Sequence, residues 1–567
     1  VRRTRRAACA PLTLLALLAL LSALAPTTAR AAAPAELTTA EPAGTPVLVA
    51  SQTAPPAGYR LTAQVVHRIA ARSPTVIAEL KRHPHLVAYE YTKGLGIWQV
   101  SWFTPPPDQK EMVQVYVDDA TGVVTQAWTG YQVAWSMARG YPGAFGKRVN
   151  APFVWLPLCL LFMAPFLPWR RRPTLLHLDL LVLLGFSISL AFFNHADLGI
   201  SVPSVYPFMI YLLVRMLLLA CGRGRPREPL RLIVPSNWLA VGLVFLVGFR
   251  IGLNVTNSNV IDVGYAGVIG AYKILHGVKL YGGWPISNPA GDTYAPFNYY
   301  AYVPFTAIFG WSGIWDNLPA AHAAAISFDL LTIIGLFLLG RSIRGTTLGI
   351  TLAYCWAAYP FTLFVLSSNS NDALVALMLV LTLLLLRWAP ARGAAAALAG
   401  LTKFAPLALG PLFLRGAGPM PSRRSIVKYV LAYGLVFALV MAKVVFDGNF
   451  AAFWRDSISY QATRPAPFSI WGLWGGLNDE QTLWQGAAVA LALAVAFVPG
   501  KRGVVEVAAL GAAVLIALQM GITYWFYLYI VWFFPLVIIA LLGADPSAVE
   551  APAPAGSPSL AYASLAG

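Results

Sequence analysis

The sequence is poor in charge: Asp, Glu, Lys and Arg make up 11% of its 567 residues, against roughly 25% in a soluble domain. So few charges cannot cover a globular surface, which excludes an ordinary soluble enzyme. With 58% hydrophobic residues and a mean hydropathy of +0.65, a disordered chain is excluded as well. Cysteine is scarce too. Cys9, Cys159, Cys221 and Cys355 show no CxxC spacing, so neither a disulfide framework nor a zinc site is expected. Also missing are a P-loop, a GxGxxG ahead of a helix, an HExxH and a DxD in the outer loops, so no nucleotide, metal or other cofactor is expected. Acidic residues are outnumbered, 23 against 40 basic ones, for a net charge of +17. The basic residues sit mostly in short loops between apolar stretches rather than in a stripe interleaved with aromatics. They therefore read as a topology signal, and no nucleic-acid partner is expected.

The chain opens with Arg2-Arg3-Thr4-Arg5-Arg6, an apolar run over about 7–24 and Ala29-Arg30-Ala31. Charge, apolar core and small residues in that order are the pattern of a secretory signal peptide over 1–33, with an N-terminal anchor as the alternative. Either one exports the segment behind it. Residues 34–150 are more charged, open with Pro42, Pro46, Pro55 and Pro56, and contain no spanning run. A helix is expected over about 62–82, followed by strands at 96–102 and 112–117, where apolar and polar residues alternate. The turn Asp118-Asp119-Ala120-Thr121-Gly122 leads into Val123 and Val124. This helix-then-strands order, with the segment VYVDDATGVV, resembles the PepSY domain of secreted and membrane-tethered bacterial proteins. The resemblance implies a small α+β extracytoplasmic module of binding or regulatory type.

Apolar runs then recur at about 152–169, 174–193, 201–220, 234–253, 318–340, 346–366, 372–388, 426–446, 482–499, 503–520 and 523–543. Each approaches the roughly 20 residues a helix needs to cross a bilayer core. The run 393–414 is split by Thr402-Lys403-Phe404-Ala405-Pro406, and two half-length pieces suggest a re-entrant hairpin. Lys and Arg decide the parity. If 393–414 enters and leaves on one side, cytoplasmic loops hold seventeen of them, including Arg170, Arg223, Arg341, Arg392, Arg415, Lys501 and Arg502. Outer loops then hold four, Lys273, Lys279, Arg455 and Arg464. The expected fold is an α-helical polytopic membrane protein of about eleven transmembrane helices plus a re-entrant hairpin, with a small α+β extracytoplasmic domain in front. Its parts are the exported domain 34–150, a three-helix membrane segment 151–233, a larger membrane domain 234–545 and a disordered cytoplasmic tail 546–567. The expected location is the cell membrane.

Two outer loops, 254–317 and 447–481, are long and rich in Trp and Tyr, which argues for function rather than disorder. Asp262 lies just past a membrane helix at the water–lipid border. A carboxylate there can serve as general base toward a hydroxyl from outside, and a helix-capping Asp is the alternative. Asp292, in Gly291-Asp292-Thr293-Tyr294, reads as a structural turn.

The segments GAYKILHGVKLYGG, GDTYAPFNYYAYVPF, SSNSNDALVALMLVL, AGLTKFAP and RDSISYQATRPAPFSIWGLW, together with Asp262 in the first large outer loop, resemble the C-type (GT-C) integral-membrane glycosyltransferases. The nearest group is the polyprenyl-phosphate-mannose-dependent glycosyltransferase family 87 in its actinobacterial form. The resemblance spans roughly 235–543. It implies a polyprenyl-phosphate sugar, most simply mannose, as donor, an extracytoplasmic glycan or glycolipid as acceptor, and Asp262 as catalytic base. One base without a second carboxylate fits inversion by single displacement. The departing phosphate calls for cations. Lys403 at the hairpin tip is the first candidate, with snorkelling to the interface as the alternative; Arg464 and Arg455 are the next. His322, which shares a helix face with Asp329, is a candidate sugar or acceptor contact, as are Asp372, Asn371, Tyr294, Gln461 and Trp471. From the residues alone, Asp372 is explained by capping a helix, His322 by packing and Trp471 by interfacial anchoring. The departures from the family are the PepSY-like domain and the three spans after it. A lipid-linked saccharide transporter or flippase and a PepSY-based membrane sensor are the competing readings.

Overall fold

The computed structural model describes residues 47–93, 96–105, 111–129, 148–167, 172–194, 198–225, 232–258, 260–285, 288, 290–313, 317–463, 466, 468–500 and 502–544. The signal-like segment 1–33, the tail 546–567 expected to be cytoplasmic and Arg464 lie outside these residues.

The N-terminal part is an antiparallel meander of five strands in the order β1 to β5: Val47–Leu48, Val87–Thr92, Ile97–Phe103, Glu111–Asp118 and Val124–Thr129. Two helices, α1 (Ala63–Ala71) and α2 (Pro74–Arg82), precede β2. The alternation expected for the strands is seen in the β3–β4 register, where Trp98 faces Val117, Val100 faces Val115 and Trp102 faces Val113. These six side chains form one core with Ala63, Val66, Ala70 and Val76 of the helices, and each large apolar side chain so buried contributes about 1.5–3 kcal/mol. The single helix expected over 62–82 is two. Pro74 occupies the first turn of α2, and its ring bars continuation of the preceding helix. Asp119, in the β4–β5 turn, ties the layers together. It accepts from the backbone N–H of Arg60 (2.7 Å) and Leu61 (2.9 Å) and from Trp98 Nε1 (2.8 Å).

The rest is helical. In chain order the longer helices are α3 (Pro152–Met163), α4 (Leu175–Asn194), α5 (Leu198–Ala220), α6 (Ser236–Asn257), α7 (Asp262–Leu275), α8 (Pro296–Phe309) and α9 (Pro319–Arg344). They continue with α10 (Thr346–Ala358), α11 (Pro360–Ser368), α12 (Asp372–Leu384), α13 (Ala389–Thr402), α14 (Gly410–Arg415), α15 (Arg423–Phe446), α16 (Asn478–Ala494), α17 (Val504–Gly521) and α18 (Ile530–Gly543). Among the described residues six of these, α4, α5, α6, α9, α15 and α17, are long and apolar enough to cross a membrane. The run 346–366 is not straight: α10 and α11 meet at 59°, because Pro360 cannot continue the helix. The runs at 152–169, 372–388 and 523–543 give shorter apolar helices than expected. In the last, extended backbone at Ile522 and Phe526 separates α17 from α18.

The segment around Lys403 doubles back, as its split apolar pattern implied. Lys403 is extended (φ −143°, ψ 148°), and a 3₁₀ turn over Ala405–Leu409 leads into α14. The limbs touch along their length: a Cβ on Gly400 would stand 2.3 Å from Leu407. At their open end the Arg392 guanidinium donates to Leu414 O (3.3 Å). Lys403 is therefore the tip, about 16 Å from Arg392 at 1.5 Å per helical residue.

The open end of the hairpin belongs to a layer of arginines. Arg415 donates to Pro419 O (2.8 Å) and Gly500 O (2.5 Å), and Arg502 to Gly416 O (3.0 Å), Ala496 O (3.2 Å) and Val495 O. Arg344 donates to Leu542 O (2.9 Å) and Ala544 O (3.1 Å), while Arg225 pairs with Glu506. Several of these carbonyls close helices, where no intrahelical donor is left and the dipole favours a cation. Cys159 and Cys355 are free thiols.

Candidate functional site

At the other end of α13 the chain assembles a polar cluster around Lys403. The residue is 8% exposed, and its ammonium donates to Asp372 Oδ1 at 2.6 Å. Three aromatic faces surround it: Trp532 at 4.9 Å, Tyr529 at 5.3 Å and Tyr294 at 5.6 Å from ring centroid to Nζ, all within cation–π range. Asp372 is fully buried. The same Oδ1 accepts from Trp532 Nε1 (2.8 Å), and Oδ2 accepts from Ser370 Oγ (2.8 Å). Its carboxylate is thus a partner for Lys403, and the helix-capping explanation does not hold. The cap position is Asn371, which makes no side-chain capping bond.

Asp262 is the first residue of α7, half-buried, and its carboxylate is near enough to act electrostatically on Lys403. Its place is set by backbone contacts on three sides. Ile261 N–H donates to Ser368 O (3.1 Å), and Asn288 Nδ2 donates to Asp262 O (2.8 Å). A turn further on, a Cβ on Gly264 would stand 2.1 Å from Asn369 O, so only glycine lets α7 lie this close to the turn ahead of Asp372. That turn carries Asn369 in the left-handed region (φ 52°), a conformation Asn tolerates better than most residues. Asn371 Nδ2 donates to Asn298 Oδ1 on α8 (2.7 Å).

Five of the residues singled out in the sequence therefore share this end: Asp262, Lys403, Asp372, Asn371 and Tyr294. His322 stands behind the turn rather than among them. Its Nδ1 bonds Asn254 Oδ1 (2.9 Å), and Asn254 Nδ2 in turn donates to Asn369 Oδ1 (2.8 Å) and Leu366 O (2.7 Å). This is a supporting place, consistent with packing. Trp471 donates to Met520 O (2.7 Å) and so acts as a brace in this conformation. Arg455 is 70% exposed and forked onto Asp456 at 2.6 and 2.8 Å, and Gln461 is exposed.

Sequence reasoning missed Trp532 and Tyr529, which sit in an aromatic run, Tyr524 to Phe534, indistinguishable from an interfacial belt. It also missed Asn288, Asn298 and Arg250. The Arg250 guanidinium on α6 is fully buried, meets Asp329 at 2.5 and 3.1 Å and donates to Ala357 O and Thr362 Oγ1, both at 3.1 Å. Asp329 and His322 do share a face, the one turned to α6. The pair fixes α6 to α9 one turn below Asn254.

Asp292, in the loop ahead of α8, is structural, as its turn pattern indicated. Oδ2 accepts from Gly282 N (2.8 Å), while Lys273 Nζ donates to Gly282 O (2.6 Å). Burial pushes the Asp292 carboxyl up to about 6 and the Lys273 ammonium down to about 8. Ser457 Oγ donates to Asp292 O (2.8 Å), and Asn449 exchanges two bonds with the Tyr281 backbone (2.7 and 3.0 Å). The two long loops are thereby clasped over the pocket's flank. No group of three or more His, Cys, Asp or Glu able to hold a metal ion occurs among the described residues.

No protein-family profile matches the chain, and no curated protein is significantly similar to it.

Proposed function

We propose that the protein is an integral-membrane glycosyltransferase that moves a sugar from a polyprenyl-phosphate donor to an extracytoplasmic glycan or glycolipid. Mannose is the sugar implied by the resemblance to the GT-C enzymes. The observation that carries the reading is the Asp262 carboxylate lying within electrostatic range of the buried Lys403 ammonium at a hairpin tip. In this scheme Asp262 takes the proton of the acceptor hydroxyl as its oxygen attacks the anomeric carbon. The bond from that carbon to the phosphate oxygen breaks, polyprenyl phosphate leaves, and the configuration inverts. An ammonium has three N–H donors. Asp372 takes one, so Lys403 retains donors for the phosphate oxygens, on which negative charge grows.

Placing the arginine layer in the cytoplasm accords with the positive-inside rule and turns the pocket outward, with about eleven spans and the hairpin as the proposed arrangement. The PepSY-like domain then stands outside with the pocket. The reading is tested by incubating the purified protein with a panel of radiolabelled polyprenyl-phosphate sugars and a cell-envelope acceptor fraction. Transfer of label from one donor is the expected result. Failure with every donor, by protein shown to be folded, would overturn it.

A further inference from the structure

In the N-terminal domain three carboxylates are buried while most cations are exposed; Asp118, bonded to Thr121 at the surface, is the exception. Glu79, Glu90 and Asp119 are 4–6% exposed and face inward, onto Arg82 and His83, onto His67 and Gln52, and onto the 60–61 backbone respectively. Arg60, Arg68, Arg72, Lys81 and Arg82 are all exposed, as are His83 and His85. Arg60, Arg68 and Arg72 fall at multiples of four, so the latter two continue one stripe of α1. Lys81 and Arg82 end α2, which lies on the same sheet face beside α1. Amid these cations Ile77 is 44% exposed, whereas its neighbour Val76 is in the core.

We infer that the outer side of the α1–α2 layer is a docking face for an anionic phospholipid surface. Arg82 is paired with Glu79, whereas Arg60, Arg68, Arg72 and Lys81, which have no ion pair among the described residues, supply the charge complementarity. An apolar side chain set among them fits a lipid interface, where it can enter the headgroup region, better than a soluble polyanion, which offers it nothing. The chain continues from this domain into the apolar helix α3, and tethering of that kind raises the effective concentration of a nearby bilayer. The inference does not depend on what the Lys403 pocket does.

The test uses full-length protein in nanodiscs of phosphatidylcholine, with and without phosphatidylglycerol, and monitors acylation of Lys81 by mass spectrometry. Phosphatidylglycerol should slow the reaction at least fivefold, and high salt should restore it, since exposed charges are screened. Each cation is worth roughly a fivefold factor, so Arg60→Ser, Arg68→Ser and Arg72→Ser together should abolish the protection. Equal rates in the two kinds of disc would overturn the inference. So would protection that survives high salt in wild-type protein, or protection obtained only by adding soluble polyphosphate.

Discussion

At the end of the helical bundle where Arg392, Arg415 and Arg502 lie, the guanidiniums are committed to backbone carbonyls of neighbouring helices. At the end where Lys403 lies, the cation is held by one carboxylate and three rings instead. Both sets are buried, yet their chemistry differs. Arginine has five donors in a fixed fork and suits the splayed carbonyls of helix ends. A lysine held by one carboxylate keeps capacity for another partner. The arginines bond the protein's own backbone, whereas the lysine ammonium gives one donor to Asp372 and has two more. The same helix, α13, runs from one to the other, so the arginine end fixes the height of Lys403.

Substitutions at the two ends should separate along that line. The largest effect expected is from Asp262→Asn, which should lower sugar transfer at least about a hundredfold, the low end for losing a general base, with the thermal midpoint unchanged. Parallel transfer and melting measurements check this, and full activity would remove Asp262 from the base role. Lys403→Met leaves Asp372 buried without its counter-ion, which should cost about 3–5 kcal/mol of stability. The double variant Lys403→Met/Asp372→Asn should regain most of that stability in denaturant titration yet still fail to bind donor. Recovery of donor binding would make the lysine structural, like the arginines.

Arg502→Met is expected to destabilise by about 3 kcal/mol, through carbonyls left unsatisfied, while activity per folded molecule stays at wild-type level. Loss of activity without loss of stability would contradict the division between the ends. The smallest effect belongs to Asp292. Its raised pKa means that the folded state holds the proton more tightly than the unfolded state. Its stabilising contribution is full below the usual Asp range and is lost as pH rises through about 6. The rise to about 6 sets a ceiling of about 3 kcal/mol, part of it offset by the loss of the Gly282 bond and of Lys273's attraction. Asp292→Asn should therefore raise stability by roughly 1 kcal/mol at pH 8 relative to pH 5, read as the difference in melting shifts.

The sequence made the parts of this arrangement visible more readily than their meetings. A break in an apolar run marked the hairpin and put Lys403 at its tip, because a cation and a proline interrupt hydrophobicity wherever the chain folds. Sidedness of Lys and Arg anticipated that Arg344, Arg392, Arg415 and Arg502 would gather at one end. Through-space partners left no such trace. Asp372 reaches Lys403 across 31 residues and Trp532 across 160, and no periodicity encodes either. Asp372 begins a helix, so local capping explained it equally well until its side chain was seen turned to the lysine. His322 likewise carried no sign that Asn254 would intercept it before it reached the pocket. In the N-terminal domain strand alternation was legible, while the division of its helix at Pro74 was missed although the residue that causes it was in view.

The central claim is that Asp262 and Lys403 serve one pocket in different roles, and binding of a polyprenyl-phosphate analogue to purified wild-type and variant proteins tests it most directly. Lys403→Met/Asp372→Asn should weaken the analogue at least tenfold, while Asp262→Asn should bind it within about twofold of wild type. Equal affinity in all three proteins would contradict the account.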